Sequence, residues 1–172
     1  SEKKGKSVGR KWGARGTVTK MYVWAAGRYI DAGDIARANF THCAYARKLL
    51  AAGKHVLVEK SGAANEREFQ QMVDFAKKRG LVALEAIRIA FNPDLELIRQ
   101  SLGKPGKIRR AIFTCGAYSS RYDNFKRGII ENAFRPEMCN GALMDLGVYA
   151  VNIMVDLFGA PQKVNADAIR LE

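Results

Sequence analysis

The sequence has no apolar run close to the ~20 residues that span a bilayer, and its mean hydropathy is -0.21. No apolar stretch follows the basic N-terminus, so we expect no secretory signal peptide. Cysteine is scarce: Cys43, Cys115 and Cys139 lie far apart and form neither a Cys-x-x-Cys motif nor a mixed cysteine–histidine spacing. We therefore expect no metal site and no disulfide framework, and a cytoplasmic protein without a membrane partner fits this usage.

Acidic residues are also in short supply, with 17 against 29 basic residues and a formal net charge of +12. The excess lies at the start of the chain, in Lys3, Lys4, Lys6, Arg10, Lys11, Arg15 and Lys20. Such a charge invites a nucleic-acid partner, but no recognition-helix, zinc-finger or RNA-binding aromatic motif accompanies it. A solvated basic segment is the simpler interpretation.

A helix followed by a strand is predicted between residues 41 and 59. Thr41 is placed to cap the helix and Gly53 to end it. The helix has an apolar face formed by Ala46, Leu49 and Leu50. A short apolar strand over residues 55–59 follows directly.

A second helix and strand follow the first pair. Asn65 and Glu68 resemble a capping box that opens the helix, and Gly80 ends it. A short apolar strand is predicted over residues 81–86. Strands joined through a helix by short connections predict a right-handed parallel crossover, and this half of the chain is therefore expected to be α/β.

The rest of the chain is less regular. The other predicted elements are a basic helix over 1–14, a short strand over 16–19, an ambiguous segment over 21–30, a helix over 94–102, a strand over 108–118, a helix over 142–158 and an opening strand over 163–171. Residues 119–140 are polar and aromatic and show no period.

Lys60 is the first candidate for a functional residue. It ends the run from Gly53 to Lys60, in which an apolar strand stops at a carboxylate, Glu59, and an ammonium. Ligands of open parallel sheets bind at the carboxyl ends of the strands. A lysine delivered to that edge is well placed for chemistry.

Four short segments, spread over both halves of the chain, resemble the motifs of one enzyme family. They are Asn39-Phe40-Thr41-His42, His55 to Lys60, Glu85-Ala86-Ile87-Arg88 and Asn140 to Tyr149. In this order and at these separations they resemble the Gfo/Idh/MocA oxidoreductases, which include glucose–fructose oxidoreductase, inositol dehydrogenase and dihydrodiol dehydrogenase types. The chain departs from the family pattern at Ser61, where proline is usual. It departs again over 31–39, where Gly33, Asp34 and Arg37 are poor choices for a buried strand.

The resemblance implies a partial Rossmann domain, with a doubly wound parallel sheet, over residues 1–90. The start of an α+β substrate and oligomerisation domain is expected over residues 91–172. The phosphate-binding motif Gly-x-Gly-x-x-Gly does not occur. We therefore expect this chain to bind NAD or NADP weakly. A homo-oligomer is expected because members of the family commonly pair their second sheets between subunits.

The resemblance also implies hydride transfer between NAD or NADP and a sugar, polyol or related alcohol. It assigns catalysis to Lys60, Tyr149 and Asp145. It assigns cofactor binding to Lys60 and to a further set: Asn39, His42, Glu59, Glu85 and Arg88. Such a reaction moves a proton at the substrate oxygen. A tyrosine performs that step poorly at neutral pH unless a nearby ammonium favours its phenolate form. Lys60 is expected to supply that charge, and Asp145 to orient a substrate hydroxyl or the lysine.

Simpler interpretations of the same residues stay open. Asp145, Tyr149, Asn152 and Asp156 share one face of a predicted helix, which is also typical of an amphipathic surface helix. His42 is equally well explained as a capping or packing residue. Aromatic residues of the irregular segment are more typical of packing than of substrate contact; they are Tyr118, Tyr122, Phe125 and Phe134. Two other functions also fit: a basic nucleic-acid-binding module, and a non-catalytic scaffold that has kept the fold.

Overall fold

A computed structural model of the protein describes residue 11, residue 27 and residues 30–169. The predictions for 1–14, 16–19 and 21–30 therefore lie outside the described residues, apart from these single positions. The chain divides into two compact units between Ala86 and Ile87. The domain boundary expected after residue 90 stays a prediction.

The first unit is built on a three-stranded parallel sheet in the order β1-β2-β3. Its elements are β1 (Ala32–Ile35), α1 (His42–Ala51), β2 (His55–Glu59), α2 (Glu66–Lys78) and β3 (Ala83–Ala86). Parallel strands joined through helices confirm the predicted α/β fold.

One face of this sheet carries the core. Buried side chains of both helices pack with the inward-pointing residues of β1 and β2; the set is Ile35, Cys43, Ala46, Leu49, Leu50, Val56, Val58, Ala63, Met72 and Ala76. Both helices therefore lie against the same face. Leu57 and Leu84 point to the other face and are exposed among the residues described, as the alternation of side chains along a strand requires.

The helix ends follow local chemistry, with one exception. The side chain of Asn65 accepts a hydrogen bond from the Glu68 N–H (3.0 Å), so the predicted cap of α2 is confirmed. Gly53 and Gly80 follow α1 and α2 with φ of 74° and 65°, a left-handed conformation that suits glycine. Thr41 precedes α1, but its hydroxyl donates to the carbonyl oxygen of Ala38 (2.7 Å). Its predicted capping bond is therefore wrong.

The segment that departs from the family pattern forms a short strand. Only residues 32–35 pair with β2, rather than the whole of 31–39. A Cβ on Gly33 would lie 2.6 Å from Leu49 Cδ1, so the glycine allows α1 to pack closely on β1. Arg37 lies beyond the strand, with its guanidinium 4.4 Å from the ring centre of Tyr45. These contacts account for Gly33 and Arg37, and Asp34 is exposed rather than buried in the strand.

The second unit consists of helices and irregular segments. Its α-helices are α3 (Pro93–Ser101), α4 (Tyr122–Lys126) and α5 (Val148–Phe158). A π-helical turn over Leu143–Gly147 leads into α5, and short 3-10 helices cover Arg88–Phe91, Asn132–Phe134 and Pro136–Met138. The predicted helices over 94–102 and 142–158 are confirmed within a residue or two of their ends.

The strands predicted over 108–118 and 163–171 are wrong. Residues 108–118 and 163–169 are irregular, and 170–171 are not among the described residues. A strand needs a neighbour that pairs with its N–H and C=O groups. Across the described part of the second unit, no segment supplies such a pairing.

One segment, Pro136–Phe158, is long and apolar enough to cross a membrane by length and composition alone. Its backbone is not one continuous helix, because Cys139 and Gly141 have φ of 54° and 124°. Asp145 and Asp156 also lie within it. The segment is therefore weak support for a membrane partner.

Candidate functional site

Glu59 and Lys60 lie at the carboxyl end of β2, the central strand of the first unit. The strand forms because the alternating residues Val56 and Val58 are buried against the helices. Both Glu59 and Lys60 are half-buried, and the Lys60 N–H donates to the Glu59 carboxylate (3.3 Å). Because β2 is parallel to both neighbours, the carboxyl ends of all three strands share one edge, where ligands of open parallel sheets bind.

Two further predicted residues belong to this edge. Glu85 lies in β3 opposite Val58, next to the last residue of the strand. Asn39 is buried in the 3-10 turn that follows β1. We call Asn39, Glu59, Lys60 and Glu85 the strand-end cluster.

His42 opens α1 and is completely buried. Its Nδ1 lies 2.7 Å from the carbonyl oxygen of Ser61, and its Nε2 lies 2.9 Å from the carbonyl oxygen of Arg37. A carbonyl oxygen only accepts, so each contact is a hydrogen bond when that ring nitrogen carries a proton. The imidazole thus contacts the main chain of the loops that follow β1 and β2.

The loop after Lys60 contains residues that sequence reasoning missed. The Gly62 N–H donates to Glu85 Oε1 (2.6 Å), and the Lys60–Ser61 peptide bond is cis. A Cβ on Gly62 would lie 2.9 Å from the Phe69 ring, so this close approach requires glycine. The available signal was a glycine two residues after the lysine.

Asp145 and Tyr149 lie on the helical segment of the second unit. Asp145 belongs to the π-helical turn, Tyr149 to the first turn of α5, and both are half-buried. The sequence predicted one regular helix here and missed the wider turn. π-Helical turns are frequent at functional sites, because they change which side chains share a face.

The polar residues predicted to share one face of this helix have different surroundings. The guanidinium of Arg99 in α3 lies 2.5 Å from Asp156, and the hydrogen bond to that carboxylate raises the pKa of Arg99. Asp156 therefore connects two helices. The Oδ1 atom of Asn152 is buried and has no hydrogen-bond partner among the described residues.

A cavity of about 900 Å³ lies beside Asp145 in the second unit. This volume is within the range of small-molecule sites. Aromatic side chains line it: Tyr118, Tyr122, Phe125 and Phe134. They also contact one another, with ring centres 5.2 to 6.1 Å apart. The same rings therefore pack together and form an apolar wall next to a carboxylate.

The remaining predicted residue, Arg88, is exposed at the start of the 3-10 helix Arg88–Phe91. It belongs to the second unit, as do Asp145 and Tyr149, whereas Lys60 belongs to the first. The roles assigned to these residues stay predictions.

Known proteins resemble this chain over both units. The curated relatives include the scyllo-inositol 2-dehydrogenase (NADP(+)) IolU of Bacillus subtilis, 43% identical over 86% of this chain and 45% of that protein. They also include mouse trans-1,2-dihydrobenzene-1,2-diol dehydrogenase, 36% identical over 68% of this chain and 34% of that protein. The chain thus spans less than half the length of either relative.

A solved structure has the same fold at lower sequence identity. It is KijD10, a 3-ketoreductase from Actinomadura kijaniata in complex with NADP and TDP-benzene. The TM-score is 0.77 at 21% identity, over 92% of this chain and 47% of that chain. The model of the oxidoreductase family with an NAD-binding Rossmann fold matches residues 1–86. Because that match covers half of the chain, the chain belongs to the Gfo/Idh/MocA oxidoreductase family.

Proposed function

We propose that this chain is part of an NAD(P)-dependent oxidoreductase that acts on a sugar, a polyol or a related alcohol. The observation that carries the proposal is the strand-end cluster, which gathers a lysine and two carboxylates at the ligand-binding edge of a parallel sheet. The substrate class is supported by relatives named for an inositol and a dihydrodiol.

The chain fits one end of a dinucleotide better than the other. Glu59 and Lys60 are half-buried at the sheet edge, which suits the nicotinamide and its ribose. For the pyrophosphate, no Gly-x-Gly-x-x-Gly segment occurs in the 172 residues. Calorimetry with NADH and NADPH is therefore expected to give binding weaker than micromolar. Micromolar affinity in this chain would contradict this account of the cofactor site.

The proposed chemistry divides between the two units. NAD(P) held by the strand-end cluster would supply the hydride-transfer chemistry. Lys60 hydrogen-bonds the reacting substrate oxygen and supplies a positive charge beside it. Tyr149 gives or takes the proton at that oxygen, and Asp145 orients a neighbouring hydroxyl. Convergence of Lys60 and Tyr149 on one oxygen is part of the proposal.

Steady-state kinetics on single variants of the whole oxidoreductase to which this chain is proposed to belong tests these roles. With scyllo-inositol and other polyols as substrates, Tyr149→Phe is expected to lower kcat by about 10²–10⁴. Lys60→Met is expected to be at least as damaging, because it removes both a charge and a hydrogen bond. Asp145→Asn should act mainly on KM. Tyr45→Phe is the matched control, since the half-buried Tyr45 lies in α1 against Arg37.

Melting temperatures of the same variants separate lost chemistry from lost folding. All are expected to melt close to the parent chain, because Lys60, Asp145 and Tyr149 are half-buried and none belongs to the core. A Tyr149→Phe variant with near-normal kcat would contradict its role as the proton carrier. A kcat loss in Tyr45→Phe of similar size would also contradict it.

We further propose a homo-oligomer located in the cytoplasm. Apolar side chains of the second unit are exposed, Ile112 among them at 78%, and such surfaces are typical of protein contacts. Light scattering over a range of concentrations tests this. A monomer throughout that range would contradict the homo-oligomer.

A further inference from the structure

The peptide group between Ser61 and Gly62 is held at both of its polar atoms. The carbonyl oxygen of Ser61 lies 2.7 Å from His42 Nδ1. The N–H of Gly62 donates to Glu85 Oε1 at 2.6 Å. One side chain comes from α1, the helix before β2, and the other from β3, the strand that pairs with β2, so two different elements bind the same peptide unit.

The surroundings of this peptide leave little room for movement or for water. His42 is fully buried and Ser61 is 5% exposed. The space next to Gly62 is filled by the Phe69 ring, since a Cβ there would lie 2.9 Å from it. The thiol of Cys43 also points to the Gly62 carbonyl oxygen, at 3.9 Å. Hydrogen bonds in such a dry site are stronger than exposed ones.

We propose that His42 and Glu85 are positioning residues that fix the direction of Lys60 by binding the Ser61–Gly62 peptide group, which begins one residue after it. This deepens the proposed function and rests on it, because it gives a role to two residues beside the proposed catalytic lysine. Fixing a catalytic group in the productive geometry contributes to rate by removing the need to order it during reaction. The role differs from the direct cofactor contact that the family resemblance implies for both residues.

The chain offers conservative variants that keep each hydrogen bond. Glu85→Gln keeps an oxygen that accepts from Gly62, whereas Glu85→Ala removes it. His42→Asn keeps a donor near the position of Nδ1. His42→Gln places its donor farther along the side chain, toward the Arg37 carbonyl oxygen, and loses the bond to Ser61. Because His42 is completely buried, these polar variants are preferred to alanine.

The experiment is NMR on the ¹⁵N-labelled 172-residue chain, with hydrogen exchange of the Gly62 amide and backbone order parameters of Lys60 and Ser61 as readouts. In Glu85→Ala, Gly62 exchange should accelerate about tenfold or more, as loss of a hydrogen bond to a charged group implies. The order parameters of Lys60 and Ser61 should fall from about 0.85 toward 0.6. Glu85→Gln and His42→Asn should stay near the parent values, and His42→Gln should follow Glu85→Ala.

An internal control and a binding measurement complete the test. Exchange at Val58, in the interior of β2, should be unchanged in every variant; a change there as large as at Gly62 would mean general loosening and would overturn the proposal. If Glu85→Ala leaves the NMR readouts unchanged but weakens NADPH binding, Glu85 is a cofactor contact and the proposal is wrong. If the NMR readouts respond as expected while the chain oxidises no polyol, the positioning contacts stand and the proposed function fails.

Discussion

Leu50 in α1 is completely buried, whereas Leu143 at the start of the π-helical turn is 67% exposed. The same contrast runs through the two units. The first unit packs two helices on one face of a sheet around a continuous core. Among the described residues of the second unit, the buried apolar side chains are Ile87 and Leu95.

In the second unit, contacts between polar side chains contribute a larger share of the stability. Arg99 binds both Glu96 and Asp156. Another set joins the segment around α4: Tyr118 to Asp123, Lys126 to Asp123, and Asn124 to Glu131. Exposed ion pairs contribute little to stability because solvent screens them, whereas a buried Leu side chain contributes about 1.5–3 kcal/mol. The two units are therefore stabilised differently: the first mainly by its buried apolar core, and the second more by polar contacts.

The largest expected difference is in thiol labelling. Burial raises the pKa of the Cys43 thiol from 9.0 to about 11, while Cys115 in the second unit is exposed. The thiolate is the reactive form. Cys43 should therefore react at least ~10³-fold more slowly with an alkylating reagent, since it must wait for the first unit to open. Mass spectrometry of labelled peptides measures both rates.

Concentrated urea supplies the control for the labelling experiment. There both cysteines should react at similar rates, because neither is shielded. Similar rates without urea would break the comparison between the units, because they would mean that the core around Cys43 opens as readily as the surface around Cys115.

A matched pair of leucine substitutions gives the next largest effect. Leu50→Ala leaves a cavity in the core and should destabilise the first unit by about 2–5 kcal/mol. Leu143→Ala removes an exposed side chain and should change stability by no more than about 0.5 kcal/mol. Hydrogen exchange followed by mass spectrometry resolves the two units. Equal costs for the two substitutions would contradict the contrast in packing.

The helix caps allow a smaller and more local comparison. Asn65 caps α2 and Asn92 caps α3, each by accepting one backbone N–H at 3.0 Å. Asn65→Ala should lower the free energy of unfolding by about 1 kcal/mol. The whole first unit should be destabilised, because α2 packs into the core through Met72 and Ala76. Asn92→Ala should instead fray α3 alone, which buries Leu95.

Aspartate at either position retains the acceptor and provides the control for these cap variants. Exchange rates of the α2 and α3 amides measure the effect. If Asn92→Ala speeds exchange throughout the second unit, that unit is more cooperative than its packing indicates.

A further expected effect is a pH dependence that belongs to the first unit. The thiol of Cys43 has a pKa of about 11 when folded and 9.0 as its ordinary value. Between these pH values the unfolded chain loses the proton while the folded chain retains it. The free energy of unfolding should therefore be unaffected below pH 9 and fall as pH rises toward 11, by at most one proton in the linkage slope.

Cys43→Ala isolates this contribution from the lysines and tyrosines that titrate in the same range. Urea unfolding at several pH values, compared between parent chain and variant, measures it. An identical alkaline slope in both proteins would show that the thiol does not contribute.

Elements with local signals could be predicted from the sequence. Asn65 with Glu68, and Gly80 after a basic turn, specify α2 through contacts within a few residues. The strand over 108–118 could not be judged in the same way, because a strand depends on a neighbour that lies far along the chain. Its apolar residues indicated a strand, but no described segment pairs with it.

The candidate site was also predictable only in part. Lys60 directly follows β2 and Glu85 lies next to the last residue of β3, so their common edge follows from the parallel topology. The hydrogen bonds from His42 to Ser61 and from Gly62 to Glu85 depend on three-dimensional spacing, and the sequence shows no trace of them beyond a glycine. The π-helical turn at Asp145 was missed because no residue type signals it.

Where α1 packs on β1, the Leu49 side chain fills the space beside Gly33. A Cβ at position 33 would lie only 2.6 Å from Leu49 Cδ1. Side-chain sizes at the two positions are therefore linked: a larger residue at 33 requires either a shift of the Leu49 side chain or a smaller residue at 49. Among descendants of this sequence the pair should covary, with substitutions appearing in compensating steps. In a combinatorial library, the two positions should be randomised together, since a larger residue at 33 fits best beside a smaller residue at 49.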